Sequence, residues 1–231
     1  MNAAYVEQLL TECHPDWTGF SAELMSAAVR SSLGRRTLLN KLAPRFRALQ
    51  RLDKSTEGVS PGENYALLSR TSWLPADTLM SRLTTLGACF YLQLICAEIR
   101  RQQVAEWKAV LGAEHYRLMI QNVRSCISEN LSLPNEQLSP VSQVELLSHC
   151  VETRQSILAG YGLFTMLAVA KTLAPSVETF DELSMRLGSL FPPNSLTQWL
   201  ETASPAEEKL CEQTSCILAL WRSENSVSLK A

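Results

Sequence analysis

An all-α fold is predicted for this 231-residue chain by two features of its sequence. Only nine glycines and ten prolines interrupt it, and apolar residues recur at intervals of three and four nearly everywhere, the period of helices. No segment shows the period-two alternation of a confident strand. At 46% hydrophobic and 19% charged the chain can bury a core without staples. The expected architecture is a single compact multi-helix domain with a small N-terminal helical annex.

The elements follow in order. Asn2 can cap a short helix over Ala3 to Glu12, which Pro15 closes. A second helix is expected from Thr18 to Ser32, presenting Phe20, Leu24, Ala27 and Ala28 on one face and stopped by Gly34. A third, Arg35 to Leu52, presents Leu38, Leu39, Leu42, Phe46 and Leu49, with Pro44 as its point of kinking. The stretch Asp53 to Asn64 is the clearest loop. It suggests a division into an N-terminal layer at 1–54, a main helical domain at 65–223 and a frayed tail at 224–231.

Pro75 and Asp77 suit the first turn of a long helix running to Ala97, its apolar surface nearly encircling it, and such a helix is central. Gly112 separates a helix ending near Leu111 from one over Glu114 to Ser128. Leu131 to Ser142, with Pro134 and Pro140, reads as a second loop. A long helix is then expected from Val141 to Leu173, with Gly160 and Gly162 permitting close approach and Pro175 ending it. Helices at Thr179 to Leu190, Ser195 to Thr202 and Pro205 to Arg222 complete the chain.

Composition excludes more than it assigns. A formal net charge of −2 gives no global bias toward nucleic acid or anionic membrane. The front half is mildly basic, with 14 Lys/Arg against 11 Asp/Glu in residues 1–120, and the back half is acidic, with 7 against 12. The N-terminus lacks a basic region followed by an apolar run, so no secretory signal is read. The longest apolar stretch, Leu86 to Ala97, is a dozen residues, and a membrane span needs about 20. The seven cysteines form no framework of short spacings, which favours reduced, buried thiols and a cytoplasmic protein.

No chemistry-bearing constellation stands out. The adjacent pairs Cys13-His14 and His149-Cys150 diverge by about 100° on a helix and chelate poorly. None of the three histidines lies in a nucleophile motif, and nucleotide-binding and zinc-protease motifs are absent. No catalytic residue, metal or cofactor is expected. From Arg30 to Lys54 eight basic residues face only Asp53. A solvated helix face, a surface for a partner protein and a phosphate-binding stripe all fit that pattern. Arg100, Arg101 and Lys108 follow a helix C-terminus, where positive charge is favourable in itself. Trp73, Trp107, Trp199 and Trp221 lie near helix ends, as half-buried anchors or as contact residues.

The order of three segments carries a family resemblance: Ser81-Arg82-Leu83-Thr84-Thr85-Leu86-Gly87, then Glu98-Ile99-Arg100-Arg101, then Tyr116-Arg117-Leu118-Met119-Ile120. With Arg154, Gly160-Tyr161-Gly162-Leu163 and Arg186-Leu187-Gly188-Ser189-Leu190-Phe191-Pro192-Pro193 further on, residues 65–220 resemble the SctK proteins of type III secretion systems (the YscK, PscK, MxiK and OrgA group). The resemblance implies a non-enzymatic cytoplasmic adaptor of the sorting platform, recruited to the cytoplasmic face of the bacterial inner membrane. Its implied partners are the cytoplasmic domain of the SctD ring protein and the SctQ pod, and through them SctL and the ATPase, with no nucleic acid and no direct membrane insertion. Arg35, Arg36, Arg45 and Arg47 of the stripe, and a corner formed by Arg100, Arg101 and Trp107, are the candidate partner-binding residues. A helical chaperone or regulator of secretion and an α-helical nucleic-acid-binding regulator are the alternatives.

Overall fold

The computed structural model describes residues 3–46, 62–132, 140–193 and 205–228. Among the described residues there are helices and no strand. In chain order they are α1 (Ala3–Glu12), a 3₁₀ turn (Pro15–Trp17), α2 (Ala22–Val29), α3 (Ser32–Leu42), α4 (Glu63–Ser72) and α5 (Ala76–Ala88). A second 3₁₀ turn (Cys89–Tyr91) leads to α6 (Leu92–Ala97) and α7 (Arg101–Leu111). α8 (Ala113–Leu118) passes through a π turn (Met119–Val123) into α9 (Arg124–Cys126). α10 (Gln143–Ser148), α11 (Val151–Leu173), α12 (Val177–Gly188) and α13 (Glu208–Ser228) follow. The helix expected at Ser195 to Thr202 and most of the Asp53 to Asn64 loop lie outside the described residues.

Contacts gather the chain into two units, residues 1–76 with 173–202, and residues 77–172 with 203–231. The segment around Arg186, which the sequence grouped with the main domain, therefore folds with the N-terminal helices.

In the first unit, Leu9, Leu10, Trp17, Leu38, Leu42 and Leu68 are buried. Backbone ends are satisfied by side chains: Ser21 Oγ accepts from Leu24 N, Ser31 Oγ from Gly34 N, and Ser176 with Thr179 forms a capping box at the start of α12. Long-range hydrogen bonds join the two parts of the unit. His14 N donates to Ser189 O at 2.7 Å, Trp17 Nε1 to Phe191 O at 2.8 Å and Tyr65 Oη to Thr179 O at 2.7 Å. Two expectations fail here. Gly34 lies inside α3 and does not stop α2; a methyl group on it would stand 2.2 Å from the Ala28 carbonyl oxygen, so it serves the close approach of the two helices. The buried residue of α2 is Met25, and Leu24 is half-exposed. α3 ends at Leu42, two residues before Pro44, whose ring cannot continue the hydrogen-bond ladder.

In the second unit α5 and α11 are the most buried elements, with Arg82 through Ala88 and Gly162 through Ala170 all inside. They cross so closely that a methyl group on Gly87 would stand 1.8 Å from Leu158 O, and one on Gly162 2.0 Å from Leu83 O. By length and composition the spans 76–97 and 151–173 could each cross a membrane, contrary to the sequence estimate. Yet 72% and 67% of their apolar windows are buried within the protein, as in core helices.

Both long helices expected here are interrupted. At the 3₁₀ turn Cys89–Tyr91 the Cys89 carbonyl accepts from Leu92 N and also from Leu131 N, the latter at 3.1 Å. A break after Ser148 is closed by Arg154, whose Nε and Nη2 donate to the His149 and Leu147 carbonyls at 2.8 and 2.7 Å. Gly112 separates α7 from α8 as expected, with φ +81° and ψ 150°, a backbone region essentially restricted to glycine. Helix α13 continues through Ser228, beyond the point where fraying was expected.

Candidate interaction surfaces

Arginine is used here in two opposite ways. In the first unit Arg186 is fully buried. Its Nε donates to Ser72 O at 3.0 Å and its Nη2 to Leu74 O at 2.9 Å, and Nη2 also pairs with the Glu12 carboxylate. The guanidinium lies over the Trp73 ring at 5.4 Å, and Trp73 stacks on Tyr5 at 4.1 Å. Burial lowers the Arg186 pKa from its ordinary value, and Glu12 works against that shift. Desolvation pushes the neighbouring Cys13 thiol up to about 12. In the second unit Arg154 pairs with Glu106 at 2.9 Å while closing the break before α11, and Arg82 lies over the Trp221 ring at 5.4 Å. All three belong to the motifs that carried the family resemblance, and all three tie helices together inside one unit.

Among the described residues of the basic stripe, Arg35, Lys41 and Arg45 are engaged within their own unit. Arg35 is 3.6 Å from Glu7. Lys41 Nζ donates to Thr18 O at 3.0 Å and lies 4.3 Å over the Phe20 ring, and Arg45 lies 5.9 Å over the Trp17 ring. Arg36 is exposed. Arg47 lies outside the described residues. Lys41 and Arg45 thus lie against the 3₁₀ turn and its flanks.

Residues 98–101 are different. Arg100 and Arg101 do follow a helix, but Arg100 is also the N-cap of α7 and Arg101 its first residue. The N-cap side chain makes no capping bond, and no acidic residue stands in the first turn. A cation at this end opposes the helix dipole by about 0.3–1 kcal/mol. Ile99 is 91% exposed. Arg100 donates to Glu98 from Nε at 2.9 Å and from Nη2 at 2.6 Å, and this bond holds the Glu98 carboxyl down at about 2. The linker therefore presents a bare isoleucine followed by two exposed arginines, one of them clamped in orientation.

Trp107 does not belong to that surface. It is 1% exposed and anchors α7 into the second unit, which corrects the expected corner. Of the two roles open to the helix-end tryptophans, Trp107 takes that of anchor and not that of contact residue. The sequence left Ile99 unsingled; its signal is an apolar residue between charges at a helix junction. Beside α7 and α8 lies a groove of about 440 Å³ lined by Lys108, Glu114, Tyr116, Arg117, Ile120 and Gln121.

Among the described residues no group of three or more His, Cys, Asp or Glu side chains could hold a metal ion. Ser81 Oγ lies 3.1 Å from His115 Nδ1, which links α5 to α8 within the second unit. No family model matches the chain, and no curated protein or solved structure is significantly similar to it.

Proposed function

We propose that this chain is a non-enzymatic adaptor of the type III secretion sorting platform, bridging an SctD-like ring protein and an SctQ-like pod at the cytoplasmic face of the inner membrane. SctL and the ATPase are reached through the pod, and neither nucleic acid nor membrane insertion is involved. The observation that carries the reading is the 98–101 linker. Ile99 is exposed, and Arg101 stands in the first turn of α7 against the helix dipole, while Arg100 is held beside them by Glu98. Residues that break local rules without a structural gain mark sites kept for contact. The same linker occupies the second of the ordered motifs that resemble SctK. The buried Arg82, Arg154 and Arg186 support the other motifs as parts of the packed interior of each unit.

The test is capture of the tagged full chain from its native host, followed by mass spectrometry, for the wild type and for the double variant I99D/R101E. Wild type is expected to recover SctD-like, SctQ-like and SctL-like proteins. The double variant is expected to lose one of them at least about tenfold, the scale of a contact hot spot, with its urea midpoint unchanged. Recovery of secreted substrates or nucleic acid in place of platform proteins overturns the assignment. Undiminished capture by the variant removes the linker from the interface.

A further inference from the structure

Helix α8 and the π turn that continues it carry apolar residues on two sides. Leu118, Met119 and Val123 are buried in the second unit. Toward solvent, Ala113, Tyr116, Arg117, Ile120 and Gln121 recur at the i, i+3, i+4, i+7, i+8 spacing of one helix face. With Lys108 from α7 they line the groove of about 440 Å³, whose exposed lining is mostly apolar. Ile120 is only half-buried there. The π turn Met119–Val123 carries Ile120 and Gln121, and turns of this kind are frequent at functional sites.

The charges of this region are unevenly committed. Glu98 is spent on Arg100 and Glu106 on Arg154. Lys108 lies 5.6 Å over the Tyr116 ring, and both Lys108 and Arg117 are exposed. Among the described residues no carboxylate holds either of them. Glu114 is the one acid of the groove lining.

We propose that this groove docks an acidic amphipathic segment of a partner protein. One large apolar side chain of that segment seats on Tyr116 and Ile120, and its carboxylates meet Lys108 and Arg117. The occupant follows from the lining: two exposed cations on an apolar floor are complementary to an apolar anchor that has carboxylates beside it. A nucleic acid is the poorer fit, because Glu114 would face its phosphates and the apolar floor would gain no partner. Nothing in this chemistry requires the partner to be a secretion-platform protein.

Other surfaces lack this combination. A groove of about 360 Å³ beside Met25 and Val29 offers Arg30 as its single cation. Cys150 is exposed, contrary to the expectation of buried thiols, but its neighbour at 3.1 Å is the Thr153 hydroxyl.

The experiment places a benzophenone amino acid at the exposed Gln121 position of the full chain in its native host. After irradiation, the cross-linked peptide is sequenced by mass spectrometry. The expected adduct is a net-negative segment of another protein, with a large apolar residue and Asp or Glu on both sides of it. Adding K108E/R117E to the same chain is expected to cut the adduct about tenfold, the scale of a contact hot spot, with the urea midpoint unchanged. K108R/R117K keeps both charges and is expected to keep the yield. An adduct to nucleic acid, to a second copy of this chain or to a basic segment overturns the proposal, as does the absence of any light-dependent adduct. An acidic segment from a protein outside the sorting platform keeps the groove and overturns the adaptor assignment. Capture of platform proteins with no adduct at position 121 does the reverse.

Discussion

At the scale of single residues, the same side chain is a core component in one place and a displayed group in another, and the surroundings decide which. Arg186 has no exposed surface and three kinds of acceptor or ring around its guanidinium. Arg100 is exposed and has a single partner, Glu98. That pair makes a pH prediction. The folded carboxyl sits at about 2, against 4.5 for the free side chain, because Arg100 hydrogen-bonds its ionised form. A depressed carboxylate contributes its stabilisation above 4.5 and loses it as pH falls through about 2. The clamp on Arg100 is therefore intact at neutral pH and releases only in strong acid. A carboxyl-carbon NMR titration is expected to place the Glu98 midpoint near 2, and R100A is expected to return it toward 4.5. An unshifted Glu98 in wild type means that the linker is not ordered by this pair.

At the scale of elements, two glycines set how closely α5 and α11 can cross. Gly87 faces the Leu158 carbonyl and Gly162 the Leu83 carbonyl, so each helix offers a glycine to the other's backbone, four residues from its own contact point. Backbone atoms cannot yield as a flexible side chain can. G87A and G162A are each expected to cost about 3 kcal/mol, the upper range for overpacking a tight site. G62A meets open space and is expected to change stability by no more than about 0.5 kcal/mol. Urea denaturation of the three variants checks both statements, and equal midpoints would show that the crossing is looser than drawn.

Part of this was legible in the sequence. The helical class, the ends of α1, the break at Gly112 and the close approach at Gly162 all follow from local pattern. Gly34 was misread because a glycine that serves a neighbouring helix looks, along the chain, like one that ends its own. The break after Ser148 has Arg154 satisfying the Leu147 and His149 carbonyls, and at Cys89 Leu131 N adds a second donor to a carbonyl that Leu92 N already bonds. No periodicity reports such bonds. At the candidate surface, the exposed arginines of the linker were singled out from sequence. Trp107 was misplaced because tryptophan is enriched both in cores and in contacts.

At the scale of the whole molecule, the chain order and the folded units disagree. The first unit closes only when residues 173–202 return to residues 1–76. The return is fixed by Arg186 on Glu12, by Trp17 on the Phe191 carbonyl and by His14 on the Ser189 carbonyl. Glu12 and Arg186 are 174 positions apart, so no local pattern could have paired them, and the boundary suggested by the Asp53 to Asn64 loop cuts through the unit they hold together. A chain truncated to begin at residue 65 tests this. It would leave the buried Arg186 charge without its carboxylate, at a cost of about 3–5 kcal/mol. It would also remove the buried Leu9, Leu10, Trp17, Leu38 and Leu42 from the unit. A deficit of that size is a large share of the roughly 5–15 kcal/mol by which native proteins are stable. The second unit has its own buried helices in α5 and α11. Hydrogen exchange on the truncated chain is therefore expected to show amides of Val177–Gly188 exchanging freely while those of Val151–Leu173 keep their protection. Protection retained across Val177–Gly188 would mean that this helix does not depend on the N-terminal layer. Loss across both helices would mean that the units fold as one cooperative body, and the contacts within each would then understate the coupling between them.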